Sequence, residues 1–343
     1  MADSNDLPDE MMELGVEENT NETNWNHLPF EMKEMVVKEM DIETRTRLKM
    51  CSKADKYLVE STQMSFNRLI FWKKAENMIK NLELYGERAS LDLKIYAKES
   101  IVYIIDRDSE RDAKKIQCSS KEEADKLVKQ MFESIVFNKM YRFNWVEAYI
   151  DHPDFCDNFE FMISTKRFDI DAPPSQVIQW LKNIAPGVEH IEVKTDAELK
   201  SVGNIAAVVN AQELEISCDN DINDDQLLNF NCTSLYIEGK SNITGKGINQ
   251  LIKKAISNDY PRKSGMIIDV DPDFMLQYWN DIIDGLNIEG LNIEVTEPQR
   301  NLNGNVLMEY KGKIKMKGGK CMEVSLSGPV TREHNKHFIA KVL

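Results

Sequence analysis

From about residue 140 onward, short apolar strand candidates return every roughly 20–30 residues with helical stretches between them. The strand candidates are Phe159–Ile163, Ile191–Val193, Leu214–Ile216, Leu235–Ile237, Met266–Val270 and, more weakly, Leu291–Val295. The helical stretches are Pro174–Ile184, Ala197–Val209, Asp224–Phe230, Gly247–Ser257 and Phe274–Ile283. One strand and one helix per unit force parallel strands joined by right-handed crossovers. Each unit also leaves an apolar face that only its neighbour can cover, so such a chain must stack. The interval is that of a solenoid. It is irregular, so an ordinary layered α/β domain is the rival architecture.

The front of the chain reads differently. Leu28-Pro29 opens a helix, because proline fixes φ and lacks an N–H that would be orphaned there anyway. Phe30, Met32, Met35, Val36, Val37 and Met40 follow at spacings of three and four. Asp41 caps a second short helix through Arg45, Leu48 and Cys51, and a third starts near Ser52. Helices this short must pack on each other. The methionines have two readings, the module's own core or adaptable contact surface for a partner. Residues 60–80 read as a linker helix carrying Phe66, Leu69, Ile70, Phe71 and Trp72. Leu82–Tyr85, Leu91–Tyr96 and Ile101–Ile105 suit a small antiparallel meander, and Lys121–Phe137 is an amphipathic helix. Asn305–Gly328 alternates apolar and polar residues with glycine turns, as a terminal hairpin would.

The expected fold class is therefore α+β or α/β. A three-helix module is followed by a small meander, a leucine-rich-repeat-like α/β arc and a C-terminal β-hairpin. The expected boundaries are an acidic disordered tail at 1–24, the helical module at 25–65, a linker and meander region at 66–138, and the repeat-like domain at 139–343.

Charge narrows the function. Asp and Glu number 58 against 43 Lys and Arg, a formal net charge of −15. Nonspecific nucleic-acid binding needs clustered cations, and an anionic membrane repels such a chain. Residues 1–24 hold eight carboxylates and no Lys or Arg. No basic-then-apolar leader opens the sequence, and no stretch approaches the roughly 20 apolar residues of a membrane span. The six cysteines are scattered without a CxxC pair, which suits reduced thiols in the cytoplasm or nucleus.

No reaction chemistry stands out. There is no GxSxG and no convincing Cys/His pair. Gly239-Lys240 and Gly245-Lys246-Gly247 fit neither phosphate-binding loop pattern, and Thr244 reads as a helix cap. His334 and His337 lack a third zinc ligand. Asp219, Asp221, Asp224 and Asp225 lack the Gly and closing Glu of a calcium loop. No catalytic residue, cofactor or metal ligand is expected, so the chain reads as a non-enzyme.

Leu28-Pro29-Phe30-Glu31-Met32, then Val36-Val37, Met40-Asp41, Arg45, Leu48 and Cys51-Ser52-Lys53, resemble an F-box. Trp25 before the Leu-Pro step and the Cys-Ser-Lys run resemble the nematode F-box proteins. The order Leu214-Glu215-Ile216, Leu227-Leu228, Ile237 and Ile243–Asn249 is similar to the F-box-associated domains of that group. One departure is that many F-boxes carry a Trp where Ala54-Asp55-Lys56-Tyr57 stands here. The resemblance implies a substrate-recognition subunit of a Skp–cullin–F-box type ubiquitin ligase. Its Skp-type adaptor, and through it cullin, would bind at Leu28, Pro29, Met32, Val36, Val37, Met40, Ile42 and Leu48. An unidentified target protein would bind the rear domain. A protein-interaction scaffold without a ligase connection is the alternative.

Overall fold

The computed structural model describes residues 25–40, 42–73, 80–86, 92–106, 113–136, 141–150, 162–258, 260–261, 264–270, 275–286, 299–300, 306–316, 319–329 and 336–343. The acidic tail, Asp41, Phe159, Leu291–Val295 and His334 lie outside them. The chain divides into two compact units after Thr62.

The first unit contains α1 (Phe30–Glu39), α2 (Ile42–Lys49) and α3 (Lys53–Ser61), preceded by a 3-10 turn at Trp25–His27. Val37, Leu58 and Val59 form its buried centre, with Trp25, Met40 and Leu48 packed against it. Polar groups close the bundle. Buried Arg45 donates to the carbonyls of Met40 at 3.3 Å and Thr62 at 3.1 Å, linking the ends of α1 and α3. Ser52 caps α3 by accepting from the Asp55 N–H. The Trp25 indole donates to Asp55 at 2.9 Å, and that bond and the Ser52 hydroxyl hold the Asp55 carboxyl below its ordinary value.

Among the described residues, the second unit is built on one 15-stranded mixed sheet. Its elements are β1 (Met64–Lys73), β2 (Lys80–Gly86), β3 (Asp92–Lys98), β4 (Ile101–Asp106), β5 (Lys114–Gln117), α4 (Lys121–Val136), β6 (Tyr141–Ile150), β7 (Thr165–Asp171), α5 (Pro174–Lys182) and β8 (His190–Lys194). They continue with α6 (Ala206–Asn210), β9 (Glu213–Ser217), α7 (Asp224–Asn229), β10 (Ser234–Glu238), α8 (Gly245–Ser257), β11 (Gly265–Val270) and α9 (Met275–Ile283). Four strands end it: β12 (Gln299–Arg300), β13 (Val306–Lys315), β14 (Cys321–Pro329) and β15 (Lys336–Val342).

This overturns the expected fold class. No leucine-rich-repeat-like arc stands between a separate meander and a separate hairpin. β1 pairs antiparallel with β2 and parallel with β6, so the meander is part of the same sheet. β15 pairs antiparallel with β11 and joins the C-terminal strands to it as well. Residues 64–73 are a strand, not a linker helix. Leu69, Ile70 and Phe71 are all buried, the pattern of an interior strand covered on both faces. A short continuous apolar run does not separate strand from helix by periodicity.

Between β1 and β11 all neighbours are parallel, in the order β1-β6-β7-β8-β9-β10-β11. Their inward residues meet the helical layer. Trp180 of α5 stacks on Phe168 and Phe71, and Phe132 of α4 packs on the same Phe71. Burial alternates along β8, β9 and β10, with Ile191, Val193, Leu214, Ile216, Leu235 and Ile237 inward.

Within the second unit, the loops that follow successive strands are tied by carboxylates. Asp221 accepts from the Ser201 N–H at 2.8 Å, Asp219 from the Lys240 N–H at 2.8 Å, and Asp224 from the Thr244 N–H at 2.7 Å. Asp224 sits against the start of α8, and a Cβ at Gly247 would collide with it. The Thr244–Gly247 run is thereby explained as a packing device at a helix N-terminus. At Gly239, φ is +94° and a Cβ would lie 2.6 Å from the Cys218 carbonyl carbon, so glycine is required.

Candidate functional site

Two surfaces carry chemistry, one on each unit. On the helical module, α1 presents two apolar stripes. Val37 and Met40 turn inward, while Met32, Met35 and Val36, at i, i+3 and i+4, stay at the surface. Met35 is 67% exposed, Phe30 50% and Met32 51%. Met50 and Tyr57 are also exposed, at 83% and 68%. Leu28 is half-buried and Pro29 exposed.

The structure thus divides the eight residues that the sequence grouped together. Leu28, Pro29, Met32 and Val36 reach the surface. Val37 has no exposed area and belongs to the module's own core, where Met40 and Leu48 pack beside it. The side chain of Ile42 lies outside the described residues. Phe30, Met35, Met50 and Tyr57 are surface apolar residues that the grouping omitted, although helical spacing from Met32 reaches Met35.

On the second unit, the sheet face away from the helices is polar and ordered in rows. Glu147, Asp169, Glu192 and Glu215 stand side by side on β6, β7, β8 and β9. Neighbouring strands lie about 4.8 Å apart, so like charges in one row repel. Cations from flanking rows answer most of them. Arg68 grips Glu147 with both ends of its guanidinium, at 2.6 and 2.9 Å. Arg167 binds Asp169 at 2.9–3.1 Å and reaches Glu192 at 3.1 Å. Lys194 pairs with Glu192, and His190 Nδ1 lies 3.0 Å from Glu213. The Trp145 ring lies between the two guanidiniums, 4.2 Å from Arg68 and 4.5 Å from Arg167, and its N–H donates to Asp169.

Burial sets the carboxyl group of Asp169 above its ordinary value against the pull of Arg167. Burial and then the Glu192 charge do the same to Glu215. Among the described residues, Glu215 makes no hydrogen bond or ion pair.

Asp169, His190 and Glu192 bring ligand atoms within 4.8 Å of one another, close enough to hold a metal ion. Arg167 already bonds both carboxylates, so a metal would have to expel a guanidinium. The arrangement fits an ion-pair lattice better. At the carboxyl ends of β6–β9 the face opens into a cleft of about 630 Å³ lined by Ile150, Asp171, Pro173, Lys194, Asp196 and Ser217. Ligands favour such edges in α/β sheets, but this lining mixes both signs. Burial pushes the Cys218 and Cys232 thiols up to about 12 and about 11, away from the thiolate form. His337 pairs with Asp269 on the sheet.

A family model described as F-box associated matches residues 207–263. That span holds β9, α7, β10 and α8, and with them Glu213, Glu215 and Tyr236 of the polar face. No significant match appears among curated proteins, and none among solved structures. Residues 207–263 are thus similar to an F-box-associated domain.

Proposed function

We propose that this chain is a non-enzymatic substrate receptor of a Skp–cullin–F-box type ubiquitin ligase. The observation that carries the reading is an outward apolar stripe on a short helix, Met32, Met35 and Val36, in a chain that also holds an F-box-associated segment. Apolar side chains left on a module with so small a core are best accounted for by a partner that covers them. Leu28, Pro29, Met32 and Val36, extended by Phe30 and Met35, form the adaptor contact. Met40 and Leu48 support it from the core side. The sheet unit captures the target protein. The chain's contribution to ubiquitin transfer is proximity, which raises the effective concentration of target lysines beside the charged conjugating enzyme. No bond chemistry is assigned to any residue, and the working compartment is the cytoplasm or nucleus.

The test is copurification with a Skp-type adaptor. The double variant Leu28→Ala, Pro29→Ala loses the adaptor while retaining its melting temperature. Met32→Asp with Val36→Asp does the same more completely. Folded variants that keep full adaptor binding would leave only the scaffold reading.

A further inference from the structure

We propose that the helix-free face of β8, β9 and β10 docks a cationic, extended segment of a protein partner, anchored on Glu213, Glu215 and Glu238. That the partner is a ligase target rests on the receptor reading above. The chemistry of the surface rests on these strands alone.

The outward positions read His190-Glu192-Lys194 on β8, Glu213-Glu215-Ser217 on β9 and Ser234-Tyr236-Glu238 on β10. Four carboxylates there face one ammonium and one imidazole. Glu192 is already held by Arg167 and Lys194. Glu213 has only a histidine beside it, and its side chain stays 60% exposed. Glu215 stands in register between Glu192 and Tyr236 without a hydrogen bond or contact ion pair, and it shares the charges of Lys194 and His190 with Glu192 and Glu213, which already engage them. The lattice that neutralises β6 and β7 therefore stops short at β9, and the unanswered negative charge lies within the F-box-associated segment.

Charge decides the occupant. The tail at residues 1–24 holds eight carboxylates and no Lys or Arg, so it is repelled. A second copy carries a net charge of −15 and is repelled in the same way. An apolar ligand would leave these carboxylates desolvated and unpaired, which is costly. Lys and Arg side chains satisfy them, and Tyr236 beside Glu215 adds an aromatic surface for a guanidinium. Alternate residues of an extended segment are about 7 Å apart, which matches the spacing of Glu213 and Glu215 along β9.

The experiment uses the full chain and short fluorescent peptides in which Lys or Arg alternates with neutral residues. Acidic and neutral peptides of equal length serve as controls, and anisotropy is read at low and at physiological salt. The cationic peptide alone binds, and more weakly as salt rises. The triple variant Glu213→Gln, Glu215→Gln, Glu238→Gln loses about ten-fold in affinity, and Glu215→Gln alone about three-fold. A charge-matched triple on the helical layer, Glu122→Gln, Glu133→Gln, Asp225→Asn, keeps wild-type affinity. The proposal is overturned if the wild type binds no cationic peptide, if the face variants bind as tightly as the wild type, or if both triples weaken equally. Adaptor copurification is measured on the same samples. Its loss with peptide binding intact would count against the receptor reading alone.

Discussion

The front module leaves Met32, Met35 and Met50 at the surface, whereas the sheet unit buries most of its large apolar side chains, with Met162 and Leu276 among the exceptions, and shows charged rows on its strands. Length explains much of the contrast. Helices of 10, 8 and 9 residues enclose few side chains, and Val37, Leu58 and Val59 complete the small buried cluster. A strand inside a 15-stranded sheet has neighbours on both edges, and its inward apolar side chains pack against helices. Its apolar residues are largely covered internally, and polar groups stand on the other side. One chain thus offers two different contact chemistries, greasy on one unit and ionic on the other.

Substitutions should separate the two units sharply. Trp180→Ala removes the ring that joins Phe71, Phe132 and Phe168, and is expected to cost about 4 kcal/mol in chemical unfolding of the sheet unit. Val37→Ala hollows a far smaller core and should cost about 2 kcal/mol, read as earlier loss of helical signal from the front unit. Equal costs would erase the distinction between a large core and a marginal one.

Arg167→Met strips Asp169 and Glu192 of their shared partner. Because this guanidinium is partly solvated, the expected loss is about 1.5 kcal/mol, smaller at high salt. Met35→Ser changes stability by less than about 0.5 kcal/mol yet weakens adaptor capture, as expected of a residue whose packing is supplied from outside.

One small effect has the opposite sign. Glu215→Gln removes a like charge from its row and should raise stability by about 0.5 kcal/mol at neutral pH. The folded-state value of this carboxyl group is raised, so its ionised form costs stability. That cost is complete above the raised value and fades as pH falls toward the ordinary 4.5. The advantage of the variant over the wild type should shrink over the same interval in melts taken at successive pH values. A stability gain joined to a loss of peptide binding would mark Glu215 as kept for contact rather than for folding.

Much of the local structure was legible. Leu214-Glu215-Ile216 and Leu235-Tyr236-Ile237 form β9 and β10 because alternation places two apolar residues against a helix and the polar one outside. Thr244 caps α8, as a small polar residue before an apolar run does. The strand β7 escaped because Thr165-Lys166-Arg167 looks polar, and its charges become intelligible only beside β6 and β8. The carboxylate row was invisible for the same reason. Glu147, Asp169, Glu192 and Glu215 are far apart in sequence, and only strand register brings them together.

The amino-acid order by itself determined the acidic balance, the short apolar helices at the front, and the alternation that turns isoleucines inward and glutamates outward. These follow from composition and from periods of 3.6 and 2, which every window of the chain carries. Tertiary structure alone decided that the meander, the parallel strands and the last three strands share one sheet, and that Val37 is sealed while Met35 is not. Register and burial are relations between distant segments, and no local period encodes which edge a strand will find.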